Sequence, residues 1–150
     1  MSTENVIDTL NDLIETSKDG EYGFRSCAEH VQAPDIRSLL IARAGDCQTA
    51  ANELQSYVSQ YGGEPEDGGT ASGALHRGWV AVKGKLAGYT DLAMLEECER
   101  GEDVAKARYR SALKEDLPET IRAVIDRQYQ GVIRNHDQIR ELRERLKVLA

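Results

Sequence analysis

The sequence predicts an all-α fold built as a bundle of four long helices. Apolar residues recur at spacings of three and four in four separate segments, which is the period of one helix face. Pro34 and Pro118 stand where two of these segments begin, and proline is favoured in the first turn of a helix. Aromatic residues make up only 5% of the chain, so Leu, Ile, Val and Ala must build most of the core.

The first two segments predict a helical hairpin. The first helix is expected from about residue 4 to 31. The second is expected from Pro34, with Asp35 as its N-cap, to the glycine pair Gly62-Gly63. Because the join is short, the two helices should be antiparallel neighbours.

The last two segments predict a second hairpin, with helices from Thr90 or Asp91 to about 115 and from Pro118 to about 149. The connection over residues 62–90 is far longer than a bundle turn of roughly 2–8 residues. It contains an amphipathic segment, residues 75–88, which is expected to form a short helix. Two short-looped hairpins joined by one long crossover describe a ferritin-like topology, expected as a single domain over residues 1–150.

The charge and the cysteines limit the class of protein. A net charge of −7 argues against nucleic acid as a partner, because phosphates would be repelled. No apolar run approaches the ~18 residues of a membrane span, and the N-terminus lacks the pattern of a signal peptide. Cys27, Cys47 and Cys98 have no metal-finger spacing and are expected as reduced thiols in a cytoplasmic protein.

Four polar side chains, one from each helix, are predicted to meet at one level of the bundle. Counting from the turns at about 1.5 Å per residue places them within roughly one helical turn of each other. These residues are Glu21, Asp46, Glu102 and His136.

The acidic run "LEECERGED" supplies the third of these residues. Helical geometry at about 100° per residue turns Glu102 inward, with Glu97 as a second choice on the other flank. The remaining acids, Glu96, Glu99 and Asp103, are expected on a solvated face.

Three interpretations of this layer stay open. It is a metal-free polar core, in which Arg43 lies beside Glu21 and Gln128 and Asn135 complete the hydrogen bonds. It binds a metal through carboxylate and imidazole ligands, which suit iron or manganese. Or it holds a small ligand in a cavity lined by Glu21, Gln128 and Glu102.

The third and fourth helices carry motifs that resemble those of known metalloproteins. The stretch "ERGEDVAKARY" (99–109) resembles the third helix of rubrerythrin-like and ferritin-like proteins, and "IRNHDQIREL" resembles their fourth. The whole chain resembles a bacterial family of small ferritin-like four-helix-bundle proteins of unknown function. That resemblance rests on "LHRGWVAVKGKLAG", "LEECERGEDVAKARYRSAL" and the run His136-Asp137-x-Ile139-Arg140.

The resemblance implies iron or manganese, with Glu21, Glu102 and His136 in ligand positions, and the predicted layer adds Asp46 as a candidate ligand. Ferritin-like di-iron sites also use two Glu-x-x-His motifs. Both are absent, because Ile133 stands three positions before His136 and Thr49 three positions after Asp46.

The sequence therefore favours a non-catalytic structural, interaction or stress-related protein, expected as a homodimer. The alternative is a mononuclear or dinuclear iron or manganese protein.

Overall fold

The computed structural model describes residues 2–66 and 90–149, and within these ranges the chain forms four helices and no strand. They are α1 (Thr3–Ala28), α2 (Pro34–Gln60), α3 (Asp91–Leu113) and α4 (Glu119–Leu149). The four predicted helices are therefore confirmed, while the short helix predicted within residues 75–88 lies outside the described ranges. None of the four is both long and apolar enough to cross a membrane.

The helix starts follow their capping residues, with one correction. The Ser2 and Thr90 side chains accept hydrogen bonds from the amides of Asn5 and Ala93, both at 3.1 Å, and so begin α1 and α3. Asp35 was expected to cap α2, but the N-cap residue is Ala33, and it makes no side-chain capping bond. Proline at the first helical position defines this start instead, and the aspartate falls in the first turn.

The topology is set by a contact between the start of α3 and the α1–α2 turn. The Asp91 carboxylate accepts hydrogen bonds from the amides of Gln32 at 2.6 Å and Ala33 at 3.0 Å. Helix α3 thus begins at the end of the bundle where α2 also begins, so the two helices run parallel. Parallel α2 and α3, each in an antiparallel hairpin with its other neighbour, are the arrangement of the ferritin-like topology.

The four helices do not enclose the interior equally. Helix α1 packs against α2 and α3, and α3 packs against α4, whereas α2 and α4 approach each other at few positions. The α1–α2 contact is close at Gly20, where a Cβ atom would lie 3.0 Å from the Cys47 sulfur. The described bundle is therefore tightly closed at the α1–α2 side and loosely closed between α2 and α4.

The core is divided into two apolar clusters. One lies near the α1–α2 turn and the other at the opposite end of the bundle. A layer of polar and small residues separates them. Large members of the first cluster are Phe24, Leu40, Met94, Leu95 and Ile139, and large members of the second are Leu10, Leu13, Leu54, Tyr109 and Ile121.

Candidate functional site

A cavity of about 530 Å³ lies in this middle layer, on the side where α2 and α4 stand apart. Much of its wall is formed by residues with small side chains. Protein interiors are normally packed to the density of organic crystals, so small residues on facing helices at one level leave a space that their neighbours do not fill. The small residues are Cys47, Ala50, Gly101, Ala105 and Gly131.

Glu102 lies on the wall of this cavity and has no partner. Its side chain is only 4% exposed, and it forms no hydrogen bond or ion pair with the described residues; its Oε1 atom is buried and unpartnered. Burial raises the pKa of Glu102 to about 8, while the guanidinium of Arg43 acts in the opposite direction. The prediction that this residue turns inward agrees with the structure.

Arg43 anchors a second group of polar residues on the wall. Its Nε atom lies 3.2 Å from Asp46 Oδ2, and its Nη1 donates to Asn135 Oδ1. The expected pair between Arg43 and Glu21 does not form, since Glu21 accepts instead from Arg25 at 3.1 Å, one turn along the same helix. Local pairs at i,i+3 and i,i+4 have therefore replaced the predicted contact between α1 and α2.

A chain of hydrogen bonds closes the end of the cavity nearest the second apolar cluster. The Tyr109 hydroxyl donates to Gln128 Oε1 at 2.8 Å, and Gln128 Nε2 donates to Glu53 Oε1 at 2.7 Å. Glu53 in turn pairs with Arg127. Burial raises the pKa of Tyr109 well above its ordinary value.

The sequence analysis predicted that Gln128 forms hydrogen bonds in this layer, but it did not identify Tyr109 and Glu53 as its partners. Tyr109 could have been found, because it falls on the core face of α3 and a buried tyrosine hydroxyl usually has a hydrogen-bond partner. Glu53 carried no such signal, since both of its partners lie on α4 and are far away in the sequence.

His136 is buried on a different face, in the seam between α3 and α4. Its Nε2 atom lies 2.7 Å from Asp103 Oδ1 and 3.8 Å from Glu99 Oε2, and its Nδ1 lies 3.5 Å from Asp137 Oδ1. Glu99 also pairs with Arg143.

Asp103 is exposed, as expected, although it contacts His136, whereas the expectation of a solvated position is wrong for Glu99, whose side chain is only 17% exposed. The reason is that α4 packs against this flank of α3 and brings an imidazole and a guanidinium to it.

The four predicted ligands do not form one cluster among the described residues. Glu21, Asp46 and Glu102 each raise the pKa of the Cys47 thiol, after the larger effect of burial, and Arg43 opposes them. His136 stands apart from them, at the seam. Glu97, the second choice, is buried and pairs with Arg100.

This arrangement does not match a ferritin-type metal centre. Within residues 2–66 and 90–149, no group of three or more His, Cys, Asp and Glu side chains is placed to hold a metal ion. Arg25 and Arg43 already engage Glu21 and Asp46. Metal binding by Glu21, Asp46, Glu102 and His136 stays a prediction.

Comparison with known families identifies the chain. Residues 5–115 match the family described as "Domain of unknown function (DUF2383)". The chain belongs to this family. The match covers α1, α2 and α3 and ends before α4, so the DUF2383 pattern includes Glu102 but neither Gln128 nor His136. No curated protein matches the chain.

Two solved structures share the fold of this DUF2383 protein. The bacterioferritin-related protein of Bacteroides fragilis, a dodecameric thioferritin, matches with a TM-score of 0.84 at 12% identity over 99% of this chain and 90% of that chain. A two-domain protein of Anabaena variabilis, with DJ-1/ThiJ/PfpI-like and ferritin-like domains, matches with a TM-score of 0.78 at 12% identity over 96% of this chain. This chain spans 40% of the Anabaena protein. At such identities the likeness establishes the ferritin-like fold alone.

Proposed function

We propose that this protein is a non-catalytic binding protein that holds one small organic molecule between α2 and α4. The observation that carries the proposal is the cavity of about 530 Å³ with the unpartnered carboxyl of Glu102 on its wall. Ligand sites in proteins commonly measure about 300–1,000 Å³ and combine apolar walls with a few polar groups. A bundle that needed only a stable interior would fill this layer with larger apolar side chains.

The chemistry of the wall favours binding over catalysis. Cys47 is the cysteine among the described lining residues, and burial raises the pKa of its thiol, which keeps it in the unreactive protonated form. His136, the histidine described in α4, lies on the other face of α3 beside Asp103. The described lining residues therefore do not supply a nucleophile activated by an adjacent imidazole base.

A substitution at Gly131 tests this proposal. Gly131 lies on the cavity wall in α4, and an added Cβ would meet only Arg134 Nη2, at 3.7 Å. Gly131→Leu should therefore be accommodated and should occupy the cavity. The neutral fluorophore N-phenyl-1-naphthylamine, which becomes bright in apolar sites, is titrated into the wild type and the variant. We expect saturable binding to the wild type and a loss of at least tenfold in affinity in Gly131→Leu.

The matched control is Gly45→Leu in α2. An added Cβ at Gly45 would meet nothing within 4 Å, and Gly45 is not on the cavity wall. Both variants replace a helical glycine, which should raise helix stability by about 0.5–1 kcal/mol. Equal probe binding by wild type and Gly131→Leu, or no saturable binding by the wild type, would contradict the proposal. Loss of binding in Gly45→Leu as well would show that the effect is not specific to the cavity.

Metal binding is the second candidate, and it is supported by the three carboxylates, Glu21, Asp46 and Glu102, that each raise the pKa of the Cys47 thiol. It requires Arg25 and Arg43 to release two of these carboxylates. Elemental analysis after anaerobic loading with Fe(II) or Mn(II) distinguishes the candidates. A stoichiometric metal that disappears in Glu102→Ala would support this function, whereas the small-molecule proposal expects no stoichiometric metal.

A homodimer, a cytoplasmic location and a stress-related role also remain proposals. The last turn of α4 supports an assembly, because Val148 and Leu149 are 84% and 82% exposed and exposed apolar side chains favour contacts between proteins. The Bacteroides fragilis relative is a dodecamer by its description. Light scattering coupled to size-exclusion chromatography gives the mass in solution, and a Leu149→Glu variant should reduce it if this turn forms the contact.

A further inference from the structure

Among the described residues, the unpartnered carboxyl of Glu102 on the cavity wall indicates what kind of molecule the cavity receives. Its Oε1 atom is buried with nothing to bind, and a buried polar atom without a hydrogen bond is costly. The carboxylate form only accepts hydrogen bonds, whereas the protonated form also carries one O–H donor, which either oxygen can hold. A ligand group that both donates and accepts can therefore pair with Oε1 in either state.

A cationic head group satisfies Glu102 in only one of its two states, because an ammonium group donates but cannot accept from the protonated acid. Three guanidinium groups also line the cavity besides Arg43. The three further residues are Arg108, Arg127 and Arg134.

The charged groups of the wall largely neutralise one another. Asp46 pairs with Arg43 at 3.2 Å, Glu53 pairs with Arg127, and Arg108 pairs with Asp12 at 3.0 Å. These pairs leave no strong preference for a ligand of either sign.

An anionic head group fails for a different reason. A carboxylate ligand can only accept from the protonated acid, and like charges repel when Glu102 is ionised, as they also do for a phosphate. A purely hydrocarbon ligand would leave the oxygen as it is now, without a partner. An uncharged hydroxyl both donates and accepts, so it can pair with Glu102 in either state.

We propose that the cavity binds an uncharged alcohol or phenol whose hydroxyl donates to Glu102 Oε1 while its hydrocarbon body fills the space beside Ala50, Ala105 and Gly131. This inference rests on the proposed function and adds the chemical class of the ligand. A hydroxyl also accepts a hydrogen bond, so Asn135 or Arg43 on the same wall can bind its oxygen.

The test uses four probes with one naphthalene body and different heads, namely 2-naphthalenemethanol, 2-naphthalenemethylamine, 2-naphthoate and 2-methylnaphthalene. Each displaces N-phenyl-1-naphthylamine from the wild type at neutral pH, where the amine is a cation and the acid an anion. We expect the alcohol to displace the fluorophore at a concentration about tenfold lower than 2-methylnaphthalene, which is the scale of one well-placed hydrogen bond to a buried group.

Three variants assign the preference to Glu102. Glu102→Leu should bind the alcohol and the hydrocarbon equally, because the acceptor is gone. Glu102→Gln keeps an amide oxygen at this position and should retain the preference for the alcohol. Glu96→Leu, the same change at an exposed site of α3, should behave as the wild type. Circular dichroism confirms that each variant is folded.

The outcomes separate this inference from the proposed function. If the hydrocarbon and the alcohol bind the wild type equally, the cavity binds ligands but the hydroxyl class is wrong. A preference for the amine or for naphthoate would also overturn it, in favour of a charged ligand. Retention of the alcohol preference in Glu102→Leu would mean that another group binds the hydroxyl. If none of the four probes binds, the proposed function itself fails.

Discussion

The carboxylates on the two faces of α3 differ in whether they have a partner. On the seam facing α4, Asp103 contacts His136 at 2.7 Å and Glu99 pairs with Arg143. On the cavity face, Glu102 has no partner although it is far more deeply buried than its neighbour Asp103, whose side chain is 62% exposed. The exposed acid is paired and the buried acid is not.

This difference separates the acids whose contacts join α3 to α4, Glu99 and Asp103, from Glu102, which makes no such contact. A protein stabilised only by its own contacts would pair the buried acid first, because an unpartnered buried group costs more than an exposed one. Positions that violate such a rule without compensation are often functional. Glu102 is therefore a better candidate for ligand binding than His136.

The largest effect should come from removing the charge of Glu102. Its pKa is raised from 4.5 to about 8 in the folded protein, so the folded state holds a proton that the unfolded state releases above pH 4.5. Folding stability should then fall as pH rises from about 4.5 to 8, at up to about 1.4 kcal/mol per pH unit. Glu102→Gln cannot ionise and should be more stable than the wild type by roughly 4 kcal/mol at pH 8.

Urea unfolding of both proteins at pH 4.5, 6 and 8 measures this difference. The two curves should nearly coincide at the lowest pH and separate as pH rises. A constant difference across the range would show that Glu102 titrates normally and has a partner in solution. In that case the contrast between the two faces of α3 would disappear.

A smaller effect is expected at Tyr109, which lies on the cavity face but has a partner. Tyr109→Phe leaves Gln128 Oε1 without the donor that now lies at 2.8 Å, and should lower the free energy of unfolding by about 1–2 kcal/mol. Tyr129→Phe is the matched control, since the two rings stack at 6.5 Å and Tyr129 is less buried. Equal unfolding midpoints for both variants would place the Tyr109 hydroxyl outside the hydrogen-bond chain.

The smallest effect is expected on the seam. Asp103→Asn weakens the contact with His136 at an exposed site, where ion pairs contribute less than about 1 kcal/mol. The free energy of unfolding should fall by less than that amount at pH 6. The control is Glu96→Gln, a similar change at an exposed acid of the same helix. A larger loss for Asp103→Asn than for Tyr109→Phe would reverse the ranking of the two faces.

The sequence by itself predicted the four helices and their order, because hydrophobic periodicity and turn residues act locally. It also predicted the ferritin-like topology, because the connection between α2 and α3 is too long for a simple bundle turn. It also indicated that Glu102 turns inward, since the direction of a side chain around its own helix depends only on residue number. The bounds were less exact: α1 ends at Ala28, three residues before the predicted end.

Only the tertiary structure determined which side chains form hydrogen bonds and ion pairs with one another. Arg43 binds Asp46 and Asn135 rather than Glu21, and the exposed Asp103 contacts an imidazole. The tertiary structure also determined that α2 and α4 lie apart and leave a cavity. The physical reason is that interhelical distances depend on the sizes of facing side chains from distant parts of the chain, and a small residue such as Gly131 leaves space only when its opposite neighbours are small too.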